Sequence, residues 1–471
     1  MVVWLQTIRS VQAASPGRKG RSGSRRNVAA LMLCLTACAL PCPASSDPVP
    51  GPADDASGSA VEAWAIHGQF TYTEQEAGSF SAPYRGPNSL TPRQGRETTD
   101  LTLYLGARLW SGAELWINPE IDQGFGLDDT LGVAGFPSGE AYKVGRNRPY
   151  FRLQRLFIRD TFSSDERDQH VDAVANQLAG SRSANRWVYT VGKMSVGDIF
   201  DVNQYAHDPR ADFLNWSVID GGAFDYAADA WGYTIGAAAE RYSGGWTLRA
   251  GFYDLSTVPN SEHLQPGFHQ FQLIAEVEHR HELAGLAGKL LLTAFESRGH
   301  MALLTDAVAH AEQTGGPVDL TAVRHYRSRA GISANFEQSV SSDAGLFARA
   351  SSAGGNVEAY EFTDIDRSLL GGISLKGSRW QRSEDTLGVA GVINQISAAR
   401  QRYLAAGGLG ILVGDGQLPH PRPEKTWEAY YAWALTRGLT FTFDYQRVTN
   451  PAYNADRGPV DVYSLRAHVQ F

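Results

Sequence analysis

Three arginines within eight residues, Arg152, Arg155 and Arg159 in YFRLQRLFIRDTFS (150–163), form a concentrated set of forked hydrogen-bond donors. A guanidinium offers planar paired donors to a carboxylate or to adjacent hydroxyls. A second concentration lies in 197–230, which holds Asp198, Asp201, Asn203, Tyr205, His207, Asp208 and Trp216. Acids and amides accept from hydroxyls, and aromatic faces stack on the C–H face of a ring, so this mixture suits a neutral polyol. Asp198, Asp201 and Asn203 could also hold a metal by composition. Their spacing is not that of a calcium loop, which needs a longer acidic ladder closed by Glu.

Other chemistries find little support. No serine sits in a G-x-S-x-G elbow. Glu278-His-Arg-His-Glu282 lacks the two-histidine helical spacing of a zinc site and reads as a charged turn. Gly408-Leu-Gly410 has no βαβ setting. Asp128-Asp129 is the one pair suggestive of a rim protease, and loop acids are common. Neither an enzyme nor a cofactor is expected.

The elements that must position these residues alternate with a period of two. Trp64, Ile66, Phe70 and Tyr72 interleave with His67, Gln69 and Thr71, and Leu439, Phe441, Phe443 and Tyr445 with Thr440, Thr442, Asp444 and Gln446. The last eleven residues alternate without a break: Tyr463, Leu465, Ala467, Val469 and Phe471 on one face, Ser464, Arg466, His468 and Gln470 on the other. A chain that ends in mid-strand on a large aromatic ends as outer-membrane β-barrels do.

The bulk numbers agree. There are 471 residues, with 49 Gly, 19 Tyr and 11 Trp but only 3 Cys. No run reaches the roughly 18 apolar residues of a helical span, whereas a tilted barrel strand needs only about ten half-apolar ones. Arg18, Lys19, Arg21, Arg25 and Arg26 precede an apolar stretch, 28–40, and small residues at Ala44, Ser45 and Ser46, which predicts a secretory signal over 1–44. Leu35-Thr-Ala-Cys38 is the alternative, a lipoprotein box. Removal of 1–44 takes away all three cysteines and moves the net charge from −8 to −14, which speaks against nucleic acid as a partner. Residues 45–60 read as a disordered leader, and 61–471 as the barrel.

Strands are predicted at 61–74, 97–109, 113–122, 150–163, 186–196, 231–241, 246–254, 268–279, 288–298, 323–336, 343–352, 369–379, 385–396, 426–436, 439–448 and 461–471. The fold class expected is therefore all-β, a sixteen-stranded transmembrane antiparallel barrel, with a large soluble β-sandwich or propeller as the rival. Long and tight connectors alternate, except that 164–185 is long where a tight turn is due. Residues 222–228 could be a further strand and are excluded because they would break this parity. The longest connector, 197–230, is the expected constriction loop. Polar faces then line the lumen: Glu114, Trp116, Asn118 and Glu120 on one stripe, His325, Arg327 and Arg329 on another, with Arg349, Lys376, Asp444 and Gln446. Trp116 is read as a sugar-stacking face, with an interfacial girdle as its alternative. No single phase turns Arg152, Arg155 and Arg159 all inward, so a bulge is expected near Gln154.

From Trp64 to Phe471 the chain resembles the carbohydrate-selective porins of the OprB type. The likeness rests on separated stretches in order: Asn118-Pro-Glu120 with Gly132-Val-Ala-Gly135, Arg155-Leu-Phe-Ile-Arg159, Gly192-Lys-Met-Ser-Val-Gly-Asp-Ile-Phe-Asp201-Val-Asn203, Tyr205-Ala-His-Asp-Pro-Arg210 with Phe213-Leu-Asn-Trp216, Gly345-Leu-Phe-Ala-Arg349, Glu428-Ala-Tyr-Tyr431, and Asn450 to Pro459. The resemblance implies passive diffusion of monosaccharides, glucose-like sugars above all, through an arginine-lined constriction in a Gram-negative outer membrane. By position it assigns Arg155 and Arg159 to that family's strand motif and Asp198, Asp201 and Asn203 to its constriction loop. With Glu120, Trp116, Lys193, Trp216, Arg327 and Arg349 these are the expected pore-lining residues. Expected partners are the sugars, outer-membrane lipid and the barrel-assembly machinery, reached through the strand ending in Phe471; association into a homotrimer is left open. Trp380-Gln-Arg382 departs from an expected Trp-Gly-Arg, and Leu418 to Pro423 is unusually proline-rich.

Overall fold

The computed structural model describes residues 61–163 and 169–471. The signal and leader expected over 1–60, and part of the long link 164–185, lie outside these residues.

Among the described residues, sixteen strands close into one antiparallel barrel and two more form a small hairpin. In chain order they are β1 (Trp64–Ala77), β2 (Gln94–Trp110), β3 (Ala113–Gly124), β4 (Arg146–Ser163), the hairpin strands β5 (Gln169–Val171) and β6 (Gly180–Arg182), β7 (Arg186–Met194), β8 (Thr234–Ser243), β9 (Trp246–Asp254), β10 (Phe271–Leu283), β11 (Leu286–Met301), β12 (His325–Ser341), β13 (Ala344–Ala353), β14 (Arg367–Gly377), β15 (Arg382–Gln395), β16 (Glu424–Thr436), β17 (Leu439–Thr449) and β18 (Val460–Gln470). Every predicted strand is present. Residues 222–228 form turns and coil, as the connector parity required. The expected strand start at 231 is corrected to Thr234, because Trp231 and Tyr233 belong to the inward loop.

Alternation dictates sidedness. On β17, Phe443 and Tyr445 face outward, while Thr442, Asp444 and Gln446 are buried within. On β11, Leu290 and Leu292 point out, while Leu291, Thr293 and Phe295 point in. A charge on the outward face would meet hydrocarbon. Leu292→Arg is therefore expected to lower the stability of the folded barrel by about 2–4 kcal/mol, read from reversible denaturation in lipid. An unchanged midpoint would place β11 in the opposite phase.

The barrel closes by pairing β18 with β1, Val469 opposite Phe70 and Arg466 opposite Thr73. The terminal residue completes the seam: its N–H and carbonyl bond the backbone of Gly68 at 3.0 and 2.9 Å. Gly68 is needed there, since a Cβ would lie 2.4 Å from the Phe471 ring.

The register of β4 against β3 steps from Asn118–Arg155 to Pro119–Leu153, leaving Gln154 without an opposite number. This is the expected bulge. An extra residue shifts the phase of the strand, so Arg152, Arg155 and Arg159 all bond groups inside the barrel. Proline at 119 fits the irregular pairing, where it cannot donate to the ladder.

The described part of the link 164–185 explains its length, because residues 171–182 pack inward at the tight-turn rim. The inward-facing Asn118 donates to Asn176 Oδ1 at 3.0 Å. Arg159 donates to the carbonyl of Asn176 at 2.9 Å, and Arg108 to that of Ala179 at 3.0 Å. Leu178 is buried beside Met194 in the main apolar cluster.

Candidate functional site

The connector between β7 and β8 enters the barrel, and almost every residue from Phe213 to Tyr233 is buried. Small residues allow this approach. A Cβ on Gly221 would lie 2.8 Å from Ser333 Oγ, and one on Gly222 2.7 Å from Ser368 Oγ, both on the wall. Luminal side chains then satisfy the loop's backbone, as burial requires. Arg349 donates to the carbonyls of Val218, Asp201 and Ala206. Gln272 accepts from Ala227 N–H, Ser351 from Ala223 N–H, and Glu428 from Asn215 N–H. Asp225 accepts from the N–H groups of Tyr360, Glu361 and Phe362 and from Arg329 at 2.7 Å, which pins this loop to the neighbouring one, 354–366. Connector 125–145 joins the packing: Glu424 accepts from Ala134 and Gly135, and Phe136 accepts from Trp216 N–H.

These three inward loops and the wall enclose a cavity of about 260 Å³. Arg155 forms its floor. Its guanidinium makes a two-pronged contact with Asp198, 2.7 and 2.6 Å, and lies 5.0 Å from the centre of the Tyr233 ring. Burial alone would raise the Asp198 pKa, yet the Arg155 charge and the N–H of Ser195 hold it below the ordinary carboxylate value. Arg210 stands over Asp100, Glu140 and Glu120 at 3.4, 3.5 and 3.8 Å. Arg152 pairs with Asp229 at 3.0 Å and lies over Trp231, its guanidinium carbon 3.4 Å from the ring centre. The upper wall is aromatic: Phe136, Trp216 and Phe362 stack in sequence at 5.2 Å spacing, and Tyr226 packs 4.9 Å from Phe362. Rings and fixed cations therefore face one another across a space of monosaccharide size.

The structure separates the expected residues into two groups. Arg155 and Trp216 line the cavity, Asp198 holds Arg155 from the side of the lower chamber, and Glu120 and Lys193 brace the cavity from behind. Glu120 is fully buried and accepts from Thr102 and Tyr142 at 2.7 Å; Lys193 donates to the carbonyl of Leu153 at 3.0 Å, with Asp229 at 3.7 Å. The remainder stand elsewhere. Trp116 faces inward, yet its ring is wholly covered against Gly106, and its N–H is spent on Glu114 at 3.0 Å, so the expected stacking face is absent. Asp201 binds Gly221 N–H, Asn335 and Arg349; Asn203 binds Asn335. Both, like Arg349, hold the loop to the wall, and with Asp198 they do not converge on a common centre. Arg327 bonds the carbonyl of Met301 at the long-loop rim. Arg159 lies below the floor, toward the tight-turn rim. Sequence reasoning missed Arg210, Tyr226 and Tyr233. Arg210 stands inside a quoted motif, but a loop has no alternation to say which way it points.

Asp220 lines the cavity, and burial pushes its pKa up to about 6 against the opposing effects of His207 and Arg349. Burial and the neighbouring Asp208 charge raise Asp212 to about 6 as well. Both carboxyls take up protons as pH falls from 7 to 5, and the constriction becomes more positive. The cation-to-anion permeability ratio is expected to drop over this interval in reversal-potential measurements, with an apparent midpoint near 6. A ratio flat from pH 7 to 5 would contradict the placement of Asp220.

A sequence profile of the carbohydrate-selective porin family, OprB, matches residues 88–471. The chain belongs to this family. Among solved structures the barrel is similar to OprB of Pseudomonas putida at high pH, with 15% identity over 87% of this chain and 94% of that one, and a TM-score of 0.64. It is also similar to the outer-membrane channel DcaP of Acinetobacter baumannii, with 10% identity over 88% and 99% of the two chains and a TM-score of 0.47. No curated protein sequence matches this chain. OprB porins are outer-membrane proteins of Gram-negative bacteria, and family and fold alike are those of a channel rather than an enzyme. The long loops of this OprB porin accordingly face the exterior and the tight turns the periplasm.

Proposed function

We propose that this OprB porin passes monosaccharides, glucose-like pyranoses above all, by passive diffusion through the cavity between Arg155 and the Phe136–Trp216–Phe362 stack. The supporting observation is the composition of that cavity. Arg155 and Arg210 are held by carboxylates of the wall and loop, so their charge is largely balanced while guanidinium edges remain to donate to hydroxyls. The aromatic side supplies an apolar wall of ring edges for ring C–H groups, the faces of Trp216 being covered by Phe136 and Phe362. Neither partner grips strongly, and flux requires a site weak enough to release its occupant. Burial alone would lower the Arg210 pKa, yet the charges of Glu140, Asp100 and Glu120 hold it well above its already high value, so the array keeps its charge throughout the physiological range.

Liposomes carrying the refolded protein should admit glucose faster than an amino acid of similar size. Equal rates ordered only by solute size would leave a general porin and defeat the selectivity. The seam strand ending in Phe471 is the segment we assign to recognition by the barrel-assembly machinery.

A further inference from the structure

Below the Arg155–Asp198 pair lies a second and larger chamber of about 430 Å³, open toward the periplasmic rim. Its walls are the inner faces of strands between β2 and β11 and the inward-packed residues 171–182. Six cations line it, Arg108, Arg159, Arg182, Arg186, Arg249 and Lys289, against four carboxylates. Glu276 and Glu337, just behind the lining, pair with Arg249 and Lys289, so any shortage of carboxylates is local.

The balance of charge within the chamber is uneven. Arg249 is saturated by Glu240, Glu276 and Glu278 at 2.8–2.9 Å. Arg108 and Arg159 share a single carboxylate, Glu114, at 3.9 Å each. Lys289 stands 3.6 Å from Glu337. Arg186 has no carboxylate within reach among the described residues. It is only 6% exposed, its plane rests on Tyr242 with 3.7 Å between guanidinium carbon and ring centre, and one terminal nitrogen donates to the carbonyl of Ser183 at 3.0 Å. Its Nε is buried with no hydrogen-bond partner among the described residues. Stacking on an aromatic ring fixes the plane of the fork in advance, which is the arrangement that recognises a carboxylate through two parallel bonds. A buried donor left without a partner is costly, and an anion in the chamber would relieve it.

We propose that this periplasmic chamber is a second binding site, selective for sugars that carry a carboxylate, with Arg186 taking the carboxylate and the chamber's glutamates and Lys289 taking the hydroxyls. This goes beyond the neutral-sugar reading of the upper cavity. It makes the pore a two-station path on which an acidic sugar pauses after passing the constriction.

The test uses the full refolded porin in a planar bilayer, with glucuronate, glucose and inorganic phosphate as separate blockers of the single-channel current. Glucuronate should block at lower concentration than glucose. Arg186→Gln should weaken glucuronate block about tenfold, the loss expected for a charge-assisted pair, and leave glucose block within twofold. Arg186→Lys, which keeps the charge but loses the fork, should restore only part of the affinity. Unchanged glucuronate block in Arg186→Gln would overturn the site. Phosphate blocking as well as glucuronate would overturn its selectivity for a sugar. Folding of each variant is checked by the shift in electrophoretic mobility on heating, and unaltered glucose block shows that the upper cavity survives. Failure of the neutral-sugar reading would appear separately, as glucose block that is absent from the wild type.

Discussion

Replacing Asp225 by Ala is expected to open the pore while leaving the barrel standing. The Asp225 carboxylate has no exposed surface and holds three backbone N–H groups of the 354–366 loop together with the Arg329 guanidinium, itself fully buried. Removing one partner of a buried ion pair costs about 3–5 kcal/mol when the charge left behind is unpaired, and Arg329 would keep only the longer contact to Asp366 at 3.8 Å. The cheapest relief is for the 195–233 loop to leave the wall and let water reach Arg329. Single-channel conductance should rise and glucose preference should collapse, while the barrel retains its heat-modifiable mobility on gels. A variant with wild-type conductance would show that Asp225 is not the staple we take it to be.

The second large effect concerns Arg155. Arg155→Ala removes the floor of the sugar cavity and frees Asp198, which then carries an unmatched negative charge into the path. Charged hydrogen bonds contribute about 1.5–3 kcal/mol, so the concentration of glucose giving half-maximal block should rise by roughly tenfold or more, and cation selectivity should increase. Arg155→Lys, with a charge but no fork, should restore the ion selectivity better than the sugar affinity. Glucose block unchanged in Arg155→Ala would remove this residue from the site.

How far the sequence reached follows from what lipid enforces. Hydrocarbon on one side and the lumen on the other impose a period of two on every strand, so the sixteen strands and the inward set Asn118, Glu120, Arg329, Arg349 and Asp444 were legible from alternation. The bulge at Gln154 was legible for the same reason, because three arginines could not otherwise share a face. Alternation tells which way a side chain points, and nothing of what then covers it. Trp116 points inward as expected but is roofed by the barrel's own filling. Asp201, Asn203 and Arg349 also point inward and are consumed in fastening a loop. Arg210, Tyr226 and Tyr233 belong to that loop, whose path is set by contacts with six or more strands far away in sequence. The inward packing of 171–182 left one trace, a long connector where a tight turn was due.

The space between Arg155 and the aromatic stack is proposed to hold a neutral sugar weakly and in passing. Glucose titrated against the single-channel current of the wild-type porin tests it most directly. A partial block is expected that saturates with glucose concentration and is weaker in Arg155→Ala. A current that falls only in proportion to bulk conductivity, with no saturation and no dependence on Arg155, would contradict it.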